Sequence, residues 1–177
     1  VQCYGLFWRW DNVHTGGGRA NKGKLLGQKG SKSAVVDFRD QRGIYALYSG
    51  HDFVYAGQID KRGLLKRLIE HCDDDLAERW DRFSFFGTRR VLDSGTLGKV
   101  KKAATAKTNV VINQLETFLI HVSAPALNNN RGKWSGATRY YQVRDDRLGP
   151  THEEMVATLH KTMLKQSKKK PWPESVH

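Results

Sequence analysis

Residues 43–49 (Gly-Ile-Tyr-Ala-Leu-Tyr-Ser) and 53–59 (Phe-Val-Tyr-Ala-Gly-Gln-Ile) are β-rich runs on either side of Gly50-His51-Asp52. Short runs of aromatic and β-branched residues bounding a glycine-containing turn predict a β-hairpin. Directly after it, Leu64, Leu65, Leu68, Ile69 and Cys72 fall on one arc at about 100° per residue, which predicts a helix over 63–72. Arg67 and His71, four apart, sit together at the border of that arc. A hairpin running straight into an amphipathic helix commits the chain to an α+β arrangement. An odd-length loop would put Tyr45, Leu47, Phe53 and Tyr55 on one face, because side chains alternate along a strand. An even-length loop would separate the two tyrosines, and the sequence leaves that count open.

The remaining elements are placed around this unit. Tyr4–Trp10 and Arg82–Phe86 read as strands, 109–122 as a helix, Tyr140–Val143 as a late strand and 151–166 as a last helix. The glycine-punctuated 11–33 reads as loop, mobile unless nucleic acid orders it, and 93–108 reads as a loop entering the next helix. The tail from Lys168 to Pro173 is expected to be flexible. The whole predicts a small antiparallel sheet of about three strands flanked by helices. Residues 1–40 would be a basic, glycine-rich extension, 41–130 the core, and 131–177 a basic strand, helix and tail.

Charge points to the partner. Thirty Lys and Arg stand against 18 Asp and Glu, a net +12 with a pI near 9.9. The excess lies in three blocks, 1–40, 88–108 and 131–177, while 41–87 and 109–130 are each close to neutral. A neutral centre with cationic flanks suits a polyanion held by its surroundings. Spanning a membrane takes ~20 consecutive apolar residues, and no such stretch occurs. Cys3 and Cys72 are the only cysteines, so no disulfide framework is expected, and a reducing, cytoplasmic compartment is the natural setting. The chain opens at Val1 with no secretory pattern, so a trimmed start is expected.

In the 109–122 helix, Val111, Leu115, Phe118, Leu119 and Val122 define the expected buried side, with Asn113, Thr117 and His121 opposite. Glu116 falls between, bracketed by Ile112 and Ile120, and is the only charged residue between Thr108 and Arg131. A carboxylate there is expected to be partly desolvated, which costs several kcal/mol unless a cation or donors compensate. A hard divalent cation, held by one carboxylate and several waters, would do so.

Tyr45, Tyr55, Arg67, His71, Glu116 and Asn128 together resemble the GIY-YIG nuclease family over about residues 42–130. Gly43-Ile44-Tyr45 is similar to the first signature and Tyr55-Ala56-Gly57 to the second, with Ala56, taken to lie on the buried side, where Ile or Val is usual. Arg67 to His71 resembles the family's Arg-x-x-x-His helix, and Glu116 followed by Pro125 and Asn128 its metal-binding helix and later Asn. The interval from Tyr55 to Arg67 is slightly long, which makes Arg62 a rival for the arginine role.

The resemblance implies a Mg²⁺- or Mn²⁺-dependent endonuclease that leaves 5′-phosphate and 3′-hydroxyl ends, on double-stranded DNA. Tyr45 would be the general base, its pKa lowered by nearby cations. Tyr55 would position water or phosphate, Arg67 brace a phosphate, His71 assist proton transfer, and Glu116 hold the metal. Arg62, Lys66, Lys101, Lys102 and Asn128 would contact substrate. The compact size resembles restriction or defence members, and cutting both strands would call for a homodimer or sequential nicking. Two other readings stand beside this one: a nucleic-acid-binding module whose nuclease core has lost activity, and an RNA-directed nuclease.

Overall fold

The computed structural model describes residues 1–17, 21–59, 61–99, 108–123, 134 and 136–169, with side chains at 21–22, 108–113 and 167–169 excepted. Ten strands and three α-helices are described: β1 (Cys3–Arg9), β2 (His14–Gly17), β3 (Asn21–Lys24), β4 (Leu26–Gln28), β5 (Val36–Asp37), β6 (Gly43–Ser49), β7 (Asp52–Ile59), α1 (Leu64–Glu70), β8 (Arg82–Gly87), α2 (Thr108–Ser123), β9 (Thr138–Arg139), β10 (Tyr141–Gln142) and α3 (His152–Lys169). The fold is mixed α+β. Two compact units divide it, Val1–Asp145 and Asp146–His177.

The main sheet has five strands in the order β7-β6-β8-β1-β9, more than the three expected. The hairpin and β8 supply three of them. The other two come from segments read as extensions: β1 pairs antiparallel with β8, and β9 runs parallel to β1. The 1–40 segment is therefore built into the sheet. Nor is 11–33 plain loop, since β2 pairs with β3, and β4 lies between β10 and β5. Two of its glycines, Gly23 and Gly27, serve close approach. A Cβ on Gly27 would run into the Trp8 indole, and one on Gly23 into the Thr15 backbone carbonyl. Lys168 and Lys169, expected in a flexible tail, belong to α3.

The sheet is covered on both faces. On one, Tyr45, Leu47, Phe83, Phe85 and Trp8 pack with Leu64, Leu65 and Leu68 of α1. On the other, Ala46, Tyr48 and Phe86 pack with Phe118 and Val122 of α2 and with Trp134. As expected, α1 turns Leu64, Leu65 and Leu68 inward.

Helix α2 does not sit as the sequence suggests. Leu115 and Leu119 are 57% and 61% exposed, whereas Thr117 is buried. Thr117, Phe118, His121 and Val122 form the inward side. At about 100° per residue that turns Glu116 nearly opposite, and it is exposed. The expectation of a desolvated carboxylate fails because aromatic residues brought from elsewhere decide the packing: the His121 ring lies 5.8 Å from that of Tyr4 and 6.3 Å from that of Trp134.

Candidate active site

The hairpin resolves the loop-parity question by an unanticipated route. Ser49 pairs with Asp52 and Tyr48 with Phe53 across a two-residue turn, an even count that would have parted the tyrosines. A bulge follows, Leu47 pairing with Tyr55 and leaving Val54 as the extra residue. The inserted residue returns Tyr55 to the face of Leu47 and Tyr45. Phe53 stays on the opposite face, where its ring meets that of Tyr48.

Tyr45 and Tyr55 therefore stand side by side, ring centroids 6.1 Å apart, with the His71 ring 5.6 Å from the first and 5.3 Å from the second. His71 closes α1 and is buried rather than at the border. The Tyr45 hydroxyl lies 2.5 Å from His71 Nε2, and His71 Nδ1 lies 2.6 Å from Asp74 Oδ2. Asp74 Oδ1 accepts the Leu76 backbone N–H at 2.8 Å. That bond, more than the contact with His71, holds the Asp74 carboxyl below its ordinary range.

Glycine 57 explains how the Tyr45 hydroxyl reaches this position. A Cβ there would occupy the space of the Tyr45 hydroxyl and the ring carbon bearing it. Gly43, which starts β6, has φ +140° and lies against the Phe86 carbonyl, where a side chain would be strained and crowded.

Burial corrects the expected state of Tyr45. The residue is wholly buried, and desolvation pushes its phenol above the ordinary value, with the Arg67 guanidinium opposing only in part. The Arg67 guanidinium and the Tyr55 phenol both act on the Tyr45 phenol, the first lowering and the second raising its pKa. Tyr55 is half-buried and is the phenol nearer to solvent. Hydrogen bonds thus join Tyr45, His71 and Asp74 in one line, with the Tyr55 ring packed beside Tyr45 and His71.

Arg67 is half-buried and ion-pairs with Glu70 at 2.6 Å, and Arg62 reaches the other Glu70 oxygen at 2.8 Å. One carboxylate thus joins the two arginines that the sequence offers as rivals, and Arg67 is the one beside Tyr45. Lys66 is exposed on α1. Ala56, taken to be on the buried side, is exposed on the edge strand. Lys101, Lys102 and Asn128 lie outside the described residues. Asp74 and Glu70 escaped sequence reasoning; their signal was an acid three residues after His71 and three after Arg67, the spacing of neighbours on one helical turn.

Glu116 does not join this group. It rides on α2, which packs on the opposite sheet face, and points away from that sheet. Among the described residues no cluster of three or more His, Cys, Asp or Glu could hold a metal ion. Glu116 and the two phenols lie on opposite faces of the sheet. Among the described residues no helix is long and apolar enough to cross a membrane. Comparison with family models, with curated proteins and with solved structures finds no match to this chain.

Proposed function

We propose that this chain is a nucleic-acid phosphodiesterase, cutting duplex DNA, with its reacting groups on the sheet face shared by the hairpin and α1. The observation that carries the reading is the hydrogen bond between buried Tyr45 and His71 Nε2, with the half-buried Tyr55 ring packed beside both. Burial keeps Tyr45 neutral, so a standing phenolate is not the base. Tyr55, Tyr45 and His71 serve as a proton relay instead. Water at Tyr55 gives its proton to the Tyr55 oxygen, the Tyr55 proton passes to Tyr45, and the Tyr45 proton passes to Nε2. The resulting hydroxide adds to phosphorus as the bond to the leaving oxygen breaks, and that oxygen keeps the electron pair and takes a proton from solvent water. The imidazolium left behind faces the Asp74 carboxylate, which stabilises it.

Arg67 adjoins the relay and supplies a planar cationic fork to a phosphate, Glu70 holding its orientation. The basic blocks supply sequence-independent attraction to the backbone. No step is routed through a metal, since Glu116 stands apart from these groups.

A second reading, binding without cleavage, is favoured by the placement of Glu116. Plasmid incubated with the full chain in Mg²⁺, in Mn²⁺ and in chelator separates the two. Nicking or linearisation in any of these, absent from a His71→Ala preparation, supports hydrolysis. Retarded but intact plasmid in all three supports the binding module. Matched RNA and DNA oligonucleotides assign the substrate.

A further inference from the structure

We propose that Asp74 is a positioning residue that locks His71 in the tautomer with the proton on Nδ1, and so fixes the direction in which the relay runs. The proposal rests on the phosphodiesterase reading for its consequence, but not for its geometry. Neutral imidazole carries one N–H, and which nitrogen holds it depends on the partner of the other. His71 Nδ1 faces Asp74 Oδ2 at 2.6 Å, and an ionised carboxylate only accepts, so Nδ1 must donate. Nε2 is then left with a lone pair directed at the Tyr45 hydroxyl 2.5 Å away. The opposite tautomer would oppose an Nδ1 lone pair to a carboxylate and make Nε2 a donor, reversing the bond to Tyr45.

Asp74 is itself held. Its Oδ1 accepts the Leu76 N–H at 2.8 Å, fixing the carboxylate plane while Oδ2 is given to the imidazole. The carboxylate is half-exposed and His71 is buried, so the proton-accepting nitrogen lies inside and its anchor reaches solvent. The Tyr45 and Tyr55 rings flank the imidazole on the sheet side, and the Trp80 indole N–H donates to the His71 carbonyl at 3.4 Å.

The arrangement makes an asymmetric prediction. In Asp74→Asn the single side-chain oxygen stays with the Leu76 N–H, and the amide NH₂ then faces Nδ1. It donates to that nitrogen and moves the His71 proton to Nε2. Asp74→Ala removes the anchor without imposing the wrong tautomer, and Asp74→Glu keeps a carboxylate. Imidazole ¹⁵N shifts of His71, measured by NMR on the full chain at neutral pH without substrate, read this directly. The expected result is Nδ1–H in the wild type and Nε2–H in Asp74→Asn. In the wild type, an Nε2–H tautomer, a mixture, or protons on both nitrogens would overturn the proposal. So would an unchanged tautomer in Asp74→Asn.

Cleavage kinetics add a separate readout. Asp74→Asn should lower kcat at least tenfold with KM little changed, Asp74→Ala should lower it less, and Asp74→Glu should recover part of the loss. Equal losses in Asn and Ala would contradict the tautomer role. If the tautomers behave as stated while the wild type cuts nothing, the hydrolytic reading fails and the assignment of Asp74 stands.

Discussion

At the scale of single residues, the site is a matter of where one hydroxyl hydrogen is allowed to go. Tyr45 has no exposure, so its contribution is made through neighbours, and its environment favours the neutral phenol. Gly57 is what lets the hydroxyl lie against β7. Gly57→Ala should push the Tyr45 ring away from His71 and reduce cleavage by at least tenfold, while circular dichroism shows the sheet intact. A rate equal to wild type would mean that the Tyr45–His71 contact is dispensable. Arg67 is the remaining cation beside the phenols. Arg67→Ala should lower kcat more than DNA affinity, because the proposed function leaves many other Lys and Arg to contact the backbone, and gel-shift titration beside kinetics checks the split. Arg67 and His71 were legible as neighbours because their spacing on one helical turn is local, whereas the shared face of Tyr45 and Tyr55 was left open by the loop count. Asp74 was not legible, because an acid after a helix end reads as solvated loop until the imidazole is seen to turn toward it.

At the scale of elements, the hairpin and α1 follow from periodicity within a short window, and both lie where the sequence places them. The bulge at Val54 does not, since one extra residue leaves the composition of β7 unchanged yet decides which face Tyr55 occupies. Helix α2 shows the opposite failure: its leucines outvote Thr117 and His121 in any count of apolar residues, but the sheet and the Tyr4 and Trp134 rings select the latter face. The consequence is measurable. Leu119→Ser, at an exposed position, should change stability by no more than about 0.5 kcal/mol. Val122→Ala, which removes two buried carbons, should cost about 1.5 kcal/mol or more. Chemical denaturation of both variants tests the orientation, and the reverse order would restore the leucine-inward helix and, with it, a partly buried Glu116. Strand β1 is legible from its aromatic run, but its pairing with β8 and β9 is not: the partners are remote in sequence, and pairing of that kind leaves no local pattern.

For the whole molecule, charge and ionisation set the response to solvent. With a net +12, DNA affinity should fall steeply with salt, log K declining linearly against log salt concentration. A flat response in a binding titration would remove the polyanion from the account. Burial raises the phenols of Tyr4, Tyr45, Tyr48 and Tyr140 above the ordinary value of 10.0 and the Cys3 thiol to about 12. For groups raised on folding, the stabilisation is complete below the unfolded pKa and is lost as pH rises through the folded one. Stability should therefore hold at neutral pH and decline as pH climbs past 9.0, the ordinary thiol value, and further past 10.0, together with delayed tyrosine ionisation in an ultraviolet titration. The most direct test of the central claim is the turnover of Tyr45→Phe on duplex DNA, measured beside its binding constant. The account predicts a kcat loss of about a hundredfold or more at unchanged affinity, although this side chain cannot touch the substrate. Turnover at the wild-type rate would show that no proton passes through Tyr45, and the relay would be wrong.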